Sequence, residues 1–312
     1  MASPPAFSPP PECAGPDLVI AGAARSATSF LAAQLGAHPR IDPGSVKEPN
    51  FFSRHLDRGV EWYDGLFGPR ATGVLRMDGS VSYTYPQFPE ALGRLAAAAP
   101  GALLVYVVRD PLPRAVSHYH LQRHYFQREP APDFGAALRT NDLYAGASDY
   151  QHWLNAIYGV YPAEQVLVVP FDAVARGDAA AQVCAQVALP PPPVREQEAA
   201  AMKNNVVAFR HQTLRVASRT LRRSRLYPAV RARLGAQRLR RLNALVTRST
   251  VLPTVAEALA TCAPEQLREL RELEERSRAA VRSCLREQDA RTGLDWLAYW
   301  QPSAADGPGV ST

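Results

Sequence analysis

The first half of the chain alternates short apolar runs with stretches whose apolar residues recur every three or four positions. The apolar runs predict buried strands at 17–23, 71–77, 102–109 and 165–171. The periodic stretches predict helices at 28–36, 87–98, 114–127 and 150–159. Strands separated by helices require right-handed crossovers, so we expect an α/β fold with a doubly wound parallel sheet and helices on both faces.

The second half differs in composition. After the PPPP run at 190–193, residues 199–256 contain twelve Arg and one Lys but no Asp or Glu. Residues 264–288 have the charge pattern of a long helix, with Glu and Arg at i,i+4 spacing. We therefore predict a proline-rich disordered leader at 1–15, a single domain at 16–300 with a helical C-terminal region, and a flexible tail at 301–312. Within that domain, residues 199–256 form a basic cap or acceptor segment.

Composition narrows the class of protein. A chain of 312 residues with 46% hydrophobic and 21% charged residues can bury a full core without disulfides or metal. Its four cysteines are scattered without a CxxC motif, which opposes zinc ribbons and disulfide scaffolds. No secretory signal or membrane-length apolar run is visible, so we expect a soluble cytoplasmic protein. Abundant Ala, Arg and Pro hint at a GC-rich bacterial genome. The net charge of +6 favours anionic ligands mildly.

The turn from Gly22 to Ser29 (GAARSATS) has the spacing of a Walker A loop, GxxxxGK[ST]. The second glycine of that motif is Ala27 here and its lysine is Thr28, whereas a basic residue stands three positions earlier as Arg25. This opposes ordinary ATP or GTP use, which needs a lysine on the β- and γ-phosphates. A turn at a helix N-terminus still favours an anion near Arg25 and Thr28. Alternatively, Thr28 only caps the helix and Arg25 is solvated.

A second candidate phosphate site follows the strongest predicted strand, in RDPLPRAVSHY at 109–119. Ligands of open α/β sheets bind beyond the carboxyl ends of strands, where Arg109 is expected. Its guanidinium fork matches a phosphate, and the hydroxyl of Ser117, two turns into the next helix, adds a donor. Alternatively, Arg109 pairs with Asp110 and Ser117 is an ordinary helix residue. Two phosphate sites at adjacent strand ends suggest a bisphosphorylated nucleotide.

Three motifs therefore occur in order: GAARSATSF after the first strand, KEPNFFS at 47–53, and RDPLPRAVSHY. Together they resemble the PAPS-dependent sulfotransferases, most closely the bacterial relatives of heparan sulfate N- and O-sulfotransferases. The resemblance covers about 17–172 and extends more loosely to 300. It implies a P-loop-like sulfotransferase fold, PAPS (3′-phosphoadenosine 5′-phosphosulfate) as donor, PAP as the product, and no metal.

The resemblance also implies roles for individual residues. It assigns Arg109 and Ser117 to the 3′-phosphate and makes Glu48 the base that takes the acceptor proton. Lys47 would keep that carboxylate ionised or meet a sulfuryl oxygen. The resemblance also implies that the 5′-phosphosulfate binds to the loop residues Arg25, Ser26, Ala27, Thr28 and Ser29. There Arg25, at the usual lysine position, would stabilise charge on the bridging oxygen. The alternative for Glu48 is a surface ion pair with Lys47.

The sequence departs from the family pattern at two places. Many relatives carry two glycines after the loop cation, where this chain has Ser26 and Ala27, so the loop is expected to be stiffer. In the stretch DGSVSY at 78–83, Gly79 stands where a K[ST]PxY motif has its lysine, so the role of that lysine is missing or moved. Tyr83 either lines the cleft or belongs to the core.

The basic segment and a histidine-rich helix leave alternatives open. Lys203, Arg210 and Arg215 are candidates for a further phosphate cation, with Arg210 assigned to the cofactor site, although a solvated basic face is the simpler interpretation. The histidines at 118, 120 and 124 lie on one predicted helix. His120 and His124 are four apart and share a face, but no HExxH pattern or third zinc ligand is evident, so a metal is not expected. His118 or His120 is an alternative base.

These observations lead to a transferase that moves a sulfuryl group from PAPS to a hydroxyl, or less favourably an amine, of an organic acceptor. Saccharides, glycolipids and secondary metabolites all remain open as small-molecule or glycan acceptors. The rival hypotheses are a nucleotide-dependent kinase on a similar fold and a non-catalytic anion or nucleic-acid binder. No nucleic-acid-reading module is recognisable, so nucleic acid is not expected. Peripheral contact with anionic lipid and the oligomeric state are left open.

Overall fold

The structure is a computed structural model that describes residues 15–193, 207–209, 247–249 and 252–300. Residues 1–14 of the predicted leader and the tail at 301–312 lie outside the described residues. Most of the basic segment does so as well, including the candidate phosphate ligands Lys203, Arg210 and Arg215.

A five-stranded parallel sheet forms the centre of the protein, with the strand order β2–β3–β1–β4–β5. Its strands are β1 (Leu18–Gly22), β2 (Ile41–Asp42), β3 (Leu75–Asp78), β4 (Leu103–Val108) and β5 (Val166–Pro170). The four predicted strands are confirmed. Strand β2 was not predicted from the sequence. A two-residue edge strand is too short to produce a hydrophobic pattern. A separate antiparallel pair joins β6 (Val207–Phe209) to β7 (Thr247–Ser249).

Strand β4 is fully buried because it lies between β1 and β5. All six of its residues are buried, as are all residues of the two strands beside it. Val105 pairs with Ile20 on one side and with Leu167 on the other. A parallel strand covered on both faces reads as a continuous apolar run, which is why 102–109 gave the strongest strand signal.

Twelve α-helices surround the sheet in the part of the chain that the structure describes. They are α1 (Thr28–Leu35), α2 (Phe51–Arg54), α3 (Val60–Asp64), α4 (Ala91–Ala98), α5 (Pro111–His120), α6 (Phe134–Thr140), α7 (Leu143–Gly146), α8 (Tyr150–Tyr158), α9 (Phe171–Arg176), α10 (Ala179–Gln186), α11 (Val255–Leu259) and α12 (Pro264–Thr292). The α1 helix packs on α10, whereas α5 and α8 pack on α12, so the helices form two layers.

Two predicted helices have different ends in the structure. The helix predicted at 114–127 begins at Pro111, where a proline suits the first turn, and gives way to a π-helical turn at Leu121–Phe126. The helix predicted at 264–288 continues to Thr292 and ends at Gly293, whose φ of 72° is in the left-handed region.

The strand order creates a crevice beside β1. After β1 the chain forms β2 and β3 on one side of it, then crosses to form β4 on the other side. At such a switch point the loops that follow β1 and β4 diverge and leave space outside the carboxyl ends of the strands. The turn at 23–27 and Arg109 both lie at this edge.

Candidate functional site

Gly22 allows β1 to turn tightly into the loop that follows it. A Cβ at this position would lie 2.3 Å from the Thr84 Oγ1 atom and 2.8 Å from the Tyr106 ring, so a side chain cannot be accommodated. In the loop itself, Arg25 and Ala27 adopt left-handed φ angles of 70° and 62°. For residues with a Cβ this conformation costs on the order of 1 kcal/mol each. The loop therefore holds a shape that glycine would adopt at lower cost.

The first turn of α1 presents free backbone amides. The cap residue is Ala27, which has no side-chain acceptor, so the alternative that Thr28 caps the helix is wrong. Within residues 15–193, no acceptor is found for the amides of Thr28 and Ser29. Ser26 is fully buried, and its hydroxyl has no partner among the described residues. Unpaired N–H groups at a helix N-terminus favour an anion.

The two predicted phosphate sites touch each other. The Arg25 Nε atom donates to the Ser117 Oγ atom over 2.9 Å, across 92 positions of sequence. The Arg109 Nη1 atom donates to the Arg25 carbonyl oxygen over 3.2 Å, and its guanidinium lies 4.7 Å from the centre of the Phe171 ring. Among the described residues, neither arginine forms an ion pair with a carboxylate. The structure thus brings Arg25, Arg109 and Ser117 into one cluster.

The guanidiniums of this cluster affect one another's pKa. Burial lowers the pKa of Arg25, and the nearby guanidiniums of Arg109 and Arg114 lower that pKa further. Burial likewise lowers the pKa of Arg109, although Asp110 and Asp172 are among the groups that oppose this decrease. Because arginine has such a high intrinsic pKa, all three groups remain charged, and their mutual repulsion is relieved when an anion binds between them.

Arg114 was not assigned a role from the sequence, yet it supports the loop from below. It is fully buried, and its Nη1 atom donates to the Ala24 carbonyl oxygen over 3.2 Å. Its Nε atom donates to Ser148 Oγ over 2.6 Å and its Nη2 atom to the Tyr144 carbonyl oxygen over 2.5 Å. An arginine on the buried side of a predicted helix is the signal that could have revealed it.

His118 lies beside Arg114 and Gln122, whereas His120 lies beside His124. His118 is fully buried, with Nδ1 3.3 Å from Arg114 Nη1 and Nε2 3.4 Å from Gln122 Nε2. Burial, followed by the charges of Arg114 and Arg25, holds the pKa of His118 well below its usual range. The ring of His120 lies 5.6 Å from that of His124. In the described ranges, no group of three or more His, Cys, Asp and Glu residues is placed to hold a metal ion.

The KEPN segment is anchored by its neighbours. Phe51 is buried, and its ring stacks on that of Tyr63 with 4.6 Å between the centroids. Asn50 donates its backbone N–H to Ser80 Oγ over 2.8 Å and its side-chain amide to the Glu48 carbonyl oxygen over 2.8 Å. These contacts fix the backbone on which the candidate base stands. The sequence analysis did not identify Asn50 or Ser80.

Lys47 and Glu48 form an ion pair at the edge of this segment. The Lys47 Nζ atom lies 2.6 Å from Glu48 Oε1, with about a third of each side chain exposed (34% and 37%). The pair is therefore accessible to a substrate. The ion pair that was left open as the alternative is present, and both of its side chains remain partly exposed.

Of the two places considered for Tyr83, the core and the cleft, Tyr83 occupies the core. Tyr83 itself is fully buried and donates to Asp78 Oδ2 over 2.7 Å, so it belongs to the core. Tyr85 instead lies among the charged groups. Burial raises the pKa of Tyr85, the Glu48 carboxylate raises it further, and Arg25 is among the cations that oppose this increase. Its hydroxyl therefore stays protonated.

A cavity of about 290 Å³ opens beyond the carboxyl ends of β4 and β5. Its aromatic lining consists of Phe171, Tyr299 and Trp300, and its charged lining of Arg109, Asp110, Asp172, Arg278 and Arg282. Arg109 belongs both to this cavity and to the phosphate cluster, where it contacts Arg25. Flat aromatic faces beside a cation suit a planar heterocycle attached to a phosphate.

Comparison with known proteins identifies the family. A family model described as "Sulfotransferase domain" matches residues 15–176, more than half of the chain. The protein belongs to the sulfotransferase domain family. The match includes all three motifs and both strands that carry the arginine cluster. The predicted family membership and α/β fold are confirmed.

Curated sulfotransferases match part of the chain. Heparan sulfate glucosamine 3-O-sulfotransferase 6 of Mus musculus is 38% identical over 105 residues, which is 33% of this chain and 30% of that protein. The membrane-associated sulfotransferase kil1 of Dictyostelium discoideum is 30% identical over 119 residues, or 38% of this chain and 25% of that protein. The matched part thus spans less than a third of these relatives. Across the described ranges, no helix has the length and apolar character needed to cross a membrane.

Solved structures give related matches. A sulfotransferase from Alicyclobacillus acidocaldarius has 26% identity and a TM-score of 0.49, over 72% of this chain and 96% of that one. The sulfotransferase domain from the curacin biosynthetic pathway has 15% identity and a TM-score of 0.42, over 59% and 76% of the two chains.

Proposed function

We propose that this sulfotransferase moves a sulfuryl group from PAPS to a hydroxyl, or less favourably an amine, of an organic acceptor. Saccharides, glycolipids and secondary metabolites are the acceptor classes. The observation that supports it most strongly is the contact of Arg25 with both Ser117 and Arg109, since it joins two anion sites into one. A donor with phosphoryl groups on both sides of its ribose needs two adjoining sites of this kind.

The donor atoms of the cluster suit PAPS. The Arg25 guanidinium and the free amides of Thr28 and Ser29 would hold the 5′-phosphosulfate, and Arg109 with Ser117 would hold the 3′-phosphate. All these groups donate hydrogen bonds, and among the described residues no carboxylate lies within ion-pair distance of either arginine, which suits an anion site. Bound PAPS supplies a sulfuryl group attached to a phosphate leaving group.

Three side chains carry the chemistry in this proposal. Arg25 stabilises the negative charge that grows on the bridging oxygen as the sulfuryl group leaves. Glu48 accepts the proton of the acceptor hydroxyl or amine. Lys47 holds the Glu48 carboxylate in place through their contact and presents a cation to sulfuryl oxygens.

We further propose that residues 16–300 act as one domain in the cytoplasm. The segment at 199–256 would then cover the nucleotide and contribute Arg210 to the cofactor site. An acid-free sequence favours this role because a nucleotide with two phosphoryl groups is strongly anionic.

A ligand screen and a transfer assay test the proposal. A ligand that binds only the folded protein raises its melting temperature, so PAP should raise it strongly and ATP or NAD little. PAPS labelled in its sulfuryl group should then yield labelled product with at least one acceptor in a panel of saccharides, glycolipids and phenols. A larger shift with ATP and magnesium than with PAP would favour a kinase instead. Failure of PAP to bind would reject the proposal.

A further inference from the structure

Arg282 lies in the cavity beyond β4 and β5 but forms no ion pair among the described residues. It is exposed on the C-terminal helix α12 and lines the cavity together with Arg109. The carboxylate of Asp172 lines the same cavity, yet no contact within ion-pair distance joins the two. A guanidinium at a concave site without an acidic partner is available for a ligand.

The other α12 arginine in this cavity is already engaged. Arg278 binds Asp110 through two hydrogen bonds of 2.7 Å, from Nε to Oδ1 and from Nη2 to Oδ2. Its Nη2 atom also lies 2.9 Å from Glu274 Oε1. This bidentate contact removes the charge of Asp110 from the cavity and fixes α12 against the end of β4. The remaining charge that α12 offers to a ligand there belongs to Arg282.

The spacing of arginines along α12 has a cost that an anion would offset. Arg282 stands four residues before Arg286, and neither forms an ion pair among the described residues, whereas Arg278, four residues before Arg282, is paired with Asp110 and Glu274. Like charges at this spacing destabilise a helix by a few tenths of a kcal/mol per pair. A phosphate between Arg282 and Arg109 would reduce that repulsion.

We infer that Arg282 is a specificity-determining residue that contacts the 3′-phosphate of the nucleotide from the side opposite Arg109. The inference rests on the proposed function. It adds a residue from α12, which lies outside the family match at 15–176. Recognition of the donor would thus combine the family loops with the C-terminal helix of this chain, and Arg282 would favour PAP over a nucleotide without a 3′-phosphate.

Calorimetry with PAP and 5′-AMP tests this inference, using Arg282→Ala and the control Arg286→Ala. Both arginines are exposed on the same helix, but Arg286 does not line the cavity. Arg282→Ala should weaken PAP binding by about tenfold, the loss expected for a hydrogen bond to a charged group. Its affinity for 5′-AMP should stay unchanged, and Arg286→Ala should affect neither ligand.

Each outcome decides the point. If Arg282→Ala binds PAP as the wild type does, or loses PAP and 5′-AMP equally, Arg282 does not contact the 3′-phosphate. If Arg286→Ala weakens PAP as much as Arg282→Ala, the effect is a general one of helix charge and the inference is wrong. Failure of the wild-type protein to bind PAP would instead reject the proposed function. Equal melting temperatures of the three proteins without ligand would confirm that folding is unaffected.

Discussion

The Lys47 side chain lies against the bare backbone of Gly79. The Gly79 N–H donates to the Lys47 carbonyl oxygen over 3.2 Å, and a Cβ at position 79 would be only 2.9 Å from that oxygen. The same Cβ would lie 3.4 Å from the Lys47 Cε atom. Position 79, which departs from the family pattern, therefore makes room for Lys47, the cation that contacts Glu48.

Gly79→Ala should lower kcat by about tenfold or more while leaving PAP affinity unchanged. The new Cβ meets a backbone oxygen that must move, and small displacements of a catalytic group are costly. Steady-state kinetics with PAP calorimetry would measure both effects. Gly101→Ala is the control, because nothing lies within 4 Å of a Cβ at that position. A Gly79→Ala enzyme with wild-type kcat would show that the space beside Lys47 is unimportant.

Glu48→Gln should keep PAP affinity and lose turnover by roughly 10²-fold or more, as expected for a general base. The amide preserves the size of the side chain but cannot accept the acceptor proton. Single-turnover transfer from PAPS would measure the loss. Glu90→Gln is a suitable control, since Glu90 forms an exposed ion pair with Arg94 on another helix. Wild-type turnover by Glu48→Gln would exclude Glu48 as the base.

Ser117→Ala should weaken PAP several-fold, by the roughly 1 kcal/mol of one hydrogen bond, and should leave 5′-AMP binding unchanged. The hydroxyl that meets Arg25 is the group proposed to contact the 3′-phosphate. Competition binding with both nucleotides would measure the difference. Ser283→Ala serves as the control because Ser283 is exposed on α12 and its hydroxyl donates to Glu287 on the same helix. Equal losses for the two nucleotides would contradict the assignment.

His118 should make the protein less stable in mild acid. Its pKa is held low in the folded state, so below about pH 6.5 the unfolded chain binds a proton that the folded protein does not. Protonation of His118 therefore does not reduce the free energy of unfolding above this pH. Below it, this free energy falls by up to about 1.4 kcal/mol per pH unit for this group. His118→Gln should reduce the slope of unfolding free energy against pH.

Urea unfolding between about pH 7 and pH 5 would measure that slope. Some slope should remain in His118→Gln, since burial also lowers the pKa of His120. The exposed His152 provides the control variant, His152→Gln, which should behave as the wild type does. If His118→Gln and the wild type have the same slope, protonation of His118 does not limit stability in acid.

Local patterns in the sequence determined most of the secondary structure. The apolar run at 102–109 became β4, and the turn after β1 became the loop with free amides, because burial on both strand faces and glycine at a tight turn leave local signals. The order of the three motifs also indicated the family. Strand β2 was missed because it has only two residues.

The contacts that make the site depend on tertiary structure. Arg25 and Ser117 are 92 positions apart, and nothing local encodes their hydrogen bond. Other contacts also depend on the packing of separate elements. They include the support of the loop by buried Arg114, the position of Tyr85 among charged groups, and the space that Gly79 leaves for Lys47. Periodicity reports which face of a single element is buried, whereas the pairing of side chains from different elements follows from how strands and helices pack.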